Sequence, residues 1–179
     1  MQKEKKKGKN IVELINDKSK EKLMPCFSYG VFKFGKKIKT YLAILEKIGY
    51  EYHKSKIFHE YLLPSIGIEL WVRYGVINSI YLDKHCFYKG YNLIKMEYSR
   101  FQELFHLVPD KEDVLPVYQP NGRFKHETVY DFDGLGLQIW IWRGRIVTVI
   151  AYKGDIPVNK DGTLTMEPTY CHEQKDEDS

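Results

Sequence analysis

The sequence predicts an α+β fold in which helices pack on an antiparallel sheet. Three observations support this class. The chain of 179 residues is 43% apolar and 15% aromatic, which supplies a core and favours strands. A hairpin-like segment occurs twice, and a pattern with helical spacing stands upstream of each copy.

The repeated segment covers residues 61–81 and returns, without a gap, as residues 130–150. Six further positions hold conservative pairs, such as Leu70 and Ile139. The identical pairs are Tyr61 and Tyr130, Gly67 and Gly136, Trp71 and Trp140, Gly75 and Gly144, and Ile77 and Ile146. This spacing indicates an internal repeat.

Each copy is typical of a β-hairpin with a two-residue turn, at 74–75 and at 143–144, because a glycine there accepts the positive φ of a tight turn. Straight pairing outward from the turn places Leu70 opposite Ser79 on the core face. It places Trp71 on the other face, and the second copy gives the equivalent pairs.

The face opposite the predicted core carries the three tryptophans, Trp71, Trp140 and Trp142. Two interpretations are open. The tryptophans pack under a second layer, such as the C-terminal residues. Alternatively, they form an exposed platform that suits a protein interface or single-stranded nucleic acid, flanked by Arg73, Arg143 and Arg145.

Helical spacing of apolar residues predicts a helix over residues 38–48 that ends at Gly49, and a shorter helix over residues 98–105. A short strand precedes each helix, and another strand precedes each hairpin.

The repeating unit is then strand, helix and three antiparallel strands, with one copy at about 26–83 and the other at 84–153. Residues 109–126 contain acids, prolines, Asn121 and Gly122, and they predict a long surface loop. We expect residues 23–153 to form one domain of two pseudo-equivalent halves.

The net charge of +4 lies at the N-terminal end. Residues 1–22 contain eight lysines and four acids, so the rest of the chain is neutral overall, and past residue 50 acids outnumber bases. Residues 1–22 predict a flexible basic N-terminal tail, and residues 154–179 predict an irregular C-terminal tail with an acidic end. No apolar segment resembles a secretory leader or a membrane span, and the three cysteines form no close pair. We expect a cytoplasmic protein.

A search for reactive groups predicts no catalytic site, metal site or cofactor. His85-Cys86 and Cys171-His172 are adjacent pairs, which do not have the spacing of metal ligands. Asp131 and Asp133 alternate on one strand, after Glu127. Three interpretations of these acids are open: a solvated edge, a protein-binding patch, or a carboxylate pair for acid/base chemistry.

The two motifs G-[IL]-x-[IL]-W, at 67–71 and 136–140, and the two G-x-I motifs, at 75–77 and 144–146, carry a resemblance that spans residues 32–152. The chain resembles the bacterial immunity proteins of contact-dependent growth inhibition and related polymorphic toxin systems. The resemblance implies a protein without enzymatic activity that binds one cognate toxin domain, often a nuclease, and blocks its active site or its access to substrate.

Inhibitors of nucleases tend to be acidic, and beyond its first 22 residues this chain has no net charge. The hypothesis is therefore an immunity protein that binds a basic toxin domain through an acidic or aromatic surface. The alternative is nucleic-acid binding through the lysine-rich N-terminal tail and the tryptophan face. The candidate contact residues for a toxin are Asp110, Glu112, Asp113, Glu127, Asp131, Asp133 and Trp142.

Overall fold

The computed structural model describes residues 23–119 and 121–153. The basic N-terminal tail expected at 1–22 and the C-terminal tail expected at 154–179 lie outside these residues. The described chain contains helices α1 (Leu42–Ile48) and α2 (Tyr98–Phe105), and 3-10 helices at Ile38–Tyr41 and Asp133–Leu135. Its strands are β1 (Leu23–Met24), β2 (Ser28–Tyr29), β3 (Phe32–Lys33), β4 (Glu51–Lys54), β5 (His59–Leu63), β6 (Ile68–Arg73), β7 (Val76–Leu82), β8 (Phe87–Tyr88), β9 (Tyr91–Asn92), β10 (Lys111–Tyr118), β11 (Phe124–Phe132), β12 (Leu137–Trp142) and β13 (Arg145–Tyr152).

Eight strands form one antiparallel sheet in the order β10-β11-β12-β13-β7-β6-β5-β4. Strands β4 to β7 and strands β10 to β13 each form a four-stranded meander, and the two meanders join where β7 pairs with β13. The short strands form two small sheets, β1-β2-β3 and β8-β9. The predicted α+β class with an antiparallel sheet is confirmed, but each meander has one strand more than the three expected.

The helices and small sheets pack on one face of the large sheet, where the hydrophobic core lies. Leu70, Ile80 and Ile139 of the sheet are completely buried there. From α2, the ring of Phe101 lies 5.8 Å from that of Phe132. Burial of each such side chain contributes roughly 1.5–3 kcal/mol, so this layer is the main source of stability.

Each hairpin turn holds the start of a helical segment. The backbone N–H of Ile38 donates to the carbonyl oxygen of Gly75 at 3.0 Å, and that of Tyr98 donates to Gly144 at 2.9 Å. The first segment begins as a 3-10 helix, continues as α1 and ends at Gly49, whose φ is 83°. The predicted extents of both helical segments agree with the structure.

The straight register predicted for the first hairpin is wrong. Asn78 is an extra residue that forms a β-bulge, so Trp71 pairs with Ser79 and Leu70 pairs with Ile80. One extra residue moves every later side chain of the strand to the opposite face. Ile80 therefore points into the core, and Ser79 lies beside Trp71.

The second hairpin has a bulge at the equivalent position. Val147 is the extra residue, since Ile141 still pairs with Ile146 while Trp140 pairs with Thr148. Beyond the bulge Val149 faces the core. The bulges thus bring Ser79 and Thr148 to the tryptophan-bearing face.

The surface loop predicted at residues 109–126 is also wrong. Most of it is strand β10, which pairs with β11 from Lys111 opposite Asp131 to Tyr118 opposite Phe124. Strand β10 is an edge strand, where Pro116 costs no hydrogen bond to a further strand. Its charged residues protect the edge against pairing with another chain.

Candidate functional site

The face of the large sheet opposite the helices is called here the open face. It carries Trp71, Tyr81, Trp140, Trp142, Thr148 and Ile150, which alternate with core residues along their strands. Trp71 and Trp140 are half-buried, whereas Trp142 is 36% exposed. The open face is therefore an aromatic surface that remains partly accessible in the described chain.

Both half-buried indoles use their N–H groups within their own strand. Trp71 Nε1 donates to Glu69 Oε1 at 2.5 Å, and Trp140 Nε1 donates to Gln138 Oε1 at 2.7 Å. Gln138 in turn donates to Asp131 Oδ1 at 2.7 Å. The two indoles thus offer ring faces, not donors, to any group that approaches them.

The β10–β11 hairpin projects beyond the rest of the sheet. Strand β12 pairs with β11 only as far as Thr128, but the β10–β11 ladder continues for four more pairs, from Leu115 opposite Glu127 to Tyr118 opposite Phe124. We call this projecting part the arm, residues 115–119 and 121–127. Tyr118 is 80% exposed and Phe124 is 59% exposed. The arm therefore presents large aromatic side chains to solvent.

A cleft of about 560 Å³ lies between the arm and the open face. One wall is formed by arm residues, including Val117 and Tyr118, and the other by Trp71, Tyr81 and Trp140. Because β7 and β10 are four positions apart in the sheet order, the arm must reach back across the intervening strands. The cleft therefore depends on the bending of the β10–β11 hairpin back over the open face.

An ion pair supports the arm at the cleft. Lys125 Nζ lies 2.6 Å from Glu127 Oε1, and the side chains are 24% and 5% exposed. The same ammonium lies 4.5 Å from the ring centre of Trp142, and the Arg143 guanidinium lies 4.4 Å from that ring. Glu127, predicted as a contact residue, is buried and bound to Lys125, so its role in this structure is structural. Trp142 keeps an exposed edge.

Several predicted acids meet at the base of β10. We call Asp110, Asp113, Asp131 and Asp133 the acidic corner. Asp110 Oδ2 accepts the backbone N–H of Asp133 at 2.7 Å, and Asp133 Oδ1 accepts the Tyr152 hydroxyl at 2.9 Å. Burial, and then this hydrogen bond, raises the pKa of Tyr152. The corner therefore has fixed geometry.

Lys111 lies among these carboxylates. Its Nζ is 2.5 Å from Asp113 Oδ2, and this hydrogen bond, with the charges of Asp113, Asp131 and Asp133, raises the pKa of Lys111. Glu112 points to the other face, where its charge adds to burial in raising the pKa of Tyr130. The structure thus brings four of the seven predicted residues together and separates Glu112, Glu127 and Trp142 from them.

A second group of acids surrounds the cleft at Tyr81. Burial raises the pKa of Tyr81, and the charges of Asp83, Glu69 and Glu127 raise it further. Burial also raises the pKa of Glu69, and the charges of Glu60 and Asp83 raise it further. The charges of three carboxylates, Asp83, Glu69 and Glu127, therefore act on Tyr81 at the wall of the cleft.

The sequence interpretation missed Tyr81, Thr148, Lys125 and the exposed aromatic residues of the arm. The signal for the arm was present, since residues 113–118 combine strand-forming residues with a proline that only an edge strand tolerates. The position of Tyr81 depended on the bulge, which straight pairing could not give.

Among the described residues, no group of three or more His, Cys, Asp or Glu side chains is arranged so that it could hold a metal ion, and no helix is long and apolar enough to cross a membrane. The chain matches no family model, and no curated protein or solved structure shows significant similarity to it.

Proposed function

We propose that this protein is an immunity protein that acts in the bacterial cytoplasm by binding and neutralising a cognate toxin domain. The observation that supports this most is the arm, a projecting hairpin whose most exposed large hydrophobic side chains are Tyr118 and Phe124. Aromatic residues on a projecting element are frequent centres of binding energy in protein interfaces.

The acidic corner supplies a second reason. It lies at the base of the strand that forms the arm, and its carboxylates accept hydrogen bonds from Tyr152, Gln138 and the backbone N–H of Asp133. Fixed carboxylates beside an aromatic surface complement a basic partner, because opposite potentials speed association and select the partner. The phosphate-binding surface of a nuclease has that character.

We also infer that the two meanders are pseudo-equivalent halves. Tyr81 pairs with Ile150, and these residues occupy the same position in the two copies. The bulges after Trp71 and Trp140 are equivalent too. Only the second half has an arm, because β4 pairs with β5 over just four residues. The arm is thus an addition to a repeated framework, which favours a dedicated function for it.

Co-expression with the toxin encoded next to the gene tests the proposal. We expect survival of the host, and we expect the Tyr118→Ala/Phe124→Ala variant to bind the purified toxin domain at least about 30-fold more weakly. Tyr74→Ala is the matched control, since Tyr74 is 89% exposed on the β6–β7 turn, away from the arm. Absence of protection, or equal loss of affinity in the control, would contradict the proposal.

Nucleic-acid binding is the second candidate, and one contact favours it. Two cations, Lys125 and Arg143, lie over the ring of the partly exposed Trp142, so a phosphate that approaches this aromatic side chain would meet positive charge. Full-length protein should then bind single-stranded RNA at low salt, with weaker binding after deletion of residues 1–10 or in Trp142→Ala. No binding at low salt would exclude this candidate.

A further inference from the structure

The cleft between the arm and the open face has the dimensions of a site for one large side chain. Its volume of about 560 Å³ lies in the range of ligand pockets. The walls include the indoles of Trp71 and Trp140 and the aliphatic side chains of Val147 and Ile150. Such walls would hold the apolar stem of a long side chain.

The polar groups of the cleft favour a cation. The indole N–H groups of Trp71 and Trp140 are already bound to Glu69 and Gln138, so these rings offer only their electron-rich faces. The one ammonium in the lining, Lys125, is bound to Glu127. The polar groups left for an incoming ligand are the Asp83 carboxylate, the hydroxyls of Tyr81 and Tyr118 and the amide of Gln119. Of the groups in the lining, the carboxylate and the aromatic ring faces attract positive charge.

The charges at the cleft are not balanced. Asp83 lines it and forms no ion pair within the described chain, and the neighbouring Lys84 donates instead to the Pro64 carbonyl. Glu60 lies close enough to Glu69 for its charge to raise the pKa of Glu69, and neither acid forms an ion pair with a described lysine or arginine. A guest with one positive charge would compensate these carboxylates.

We propose that the cleft binds an arginine side chain carried by the protein partner, which stacks on Trp71 or Trp140 and pairs with Asp83. Arginine fits better than lysine because its planar guanidinium stacks on aromatic rings and pairs with a carboxylate through two hydrogen bonds. This inference rests on the proposed function, since it names the group of the toxin that the cleft would receive.

The test follows the indole N–H signals by NMR in the full-length protein, assigned with single Trp→Phe variants, during titration with blocked arginine amide. We expect saturable shifts for Trp71 and Trp140 at roughly millimolar concentration, and none with blocked citrulline, the neutral analogue of arginine. Equal shifts with citrulline, or no saturable shift, would overturn the inference. Tighter binding of spermidine would also overturn it, because it would indicate a free polyamine site.

Variants make the assignment specific. Asp83→Asn should weaken arginine binding about three- to tenfold, and Glu46→Gln, which removes an exposed acid from α1, should leave it unchanged. Equal effects would contradict the role of Asp83. The two proposals can fail separately. Toxin protection without arginine binding refutes the cleft assignment alone, and arginine binding without toxin protection refutes the immunity function.

Discussion

Removal of the Lys125 ammonium should destabilise the protein far more than removal of the Lys111 ammonium. Both lysines pair with an acid two residues away, at 2.6 Å for Glu127 and 2.5 Å for Asp113. The pairs differ in burial, since the Glu127 side chain is 5% exposed and the Asp113 side chain is 43% exposed. The two lysines also differ in their neighbours, since Lys125 lies over the Trp142 ring, but the exposure of the paired acid is the largest difference.

Lys125→Met leaves the buried Glu127 carboxylate without a counter-charge, which costs about 3 kcal/mol of unfolding free energy. Glu127→Gln keeps an acceptor and should cost about 1 kcal/mol. In the double variant no charge is left unpaired, so we expect a loss of about 2 kcal/mol and a coupling energy of about 2 kcal/mol.

Urea unfolding at neutral pH, followed by tryptophan fluorescence, measures these changes. With a slope of about 2 kcal/mol per molar, Lys125→Met should lower the midpoint by about 1.5 M. Lys111→Met should leave the midpoint unchanged, because exposed pairs contribute little. Equal midpoints for the two lysine variants, or a coupling energy near zero, would refute the reasoning that the buried pair holds the arm.

Three further predictions concern the framework. Deletion of Asn78 should cost only about 1 kcal/mol, since it removes the bulge and keeps the later pairs; complete unfolding would contradict the observed register. Gly136→Ala should cost about 2–4 kcal/mol, because φ there is 58° and the Cβ would collide with the Tyr152 carbonyl, while Gly134→Ala should be nearly neutral in the same urea assay. Burial raises the pKa of Tyr98 to about 12, and that of Tyr152 is raised as well. Unfolded tyrosine titrates near 10, so the free energy of unfolding should fall as the pH rises above about 10. A free energy of unfolding that stays constant as the pH rises above about 10 would contradict this prediction.

Local signals predicted most of the framework. The turn at 74–75 required a positive φ, which the structure gives as 53° for Tyr74 and 77° for Gly75. The helix at Tyr98–Phe105 followed from spacing alone, because its apolar residues recur at intervals of three and four. Each of these signals is contained within about ten residues.

The candidate site was less predictable because it depends on distant contacts. Asp110 and Asp133 were chosen for charge, and the pairing of β10 with β11 brings them together across 23 positions of sequence. Glu127 was chosen by the same criterion, but it lies opposite Leu115 at the base of the arm, where its side chain is buried. Composition shows that a residue is acidic, but its pairing partner decides whether a protein partner could reach it.

The bulges explain why the open face can form a cleft at all. Along β7 the residues that face the core are Ile77, an odd position, and then Ile80 and Leu82, both even positions. The change from odd to even positions occurs at the bulge residue Asn78. Without the extra residue, straight pairing would direct Tyr81 into the core and expose Ile80. With it, Tyr81 stands beside Glu69 on the side of Trp71, where the carboxylates act on its hydroxyl. In the first hairpin, a single inserted residue thus assigns Ile80 and Leu82 to the core and Tyr81 to the face that the arm covers.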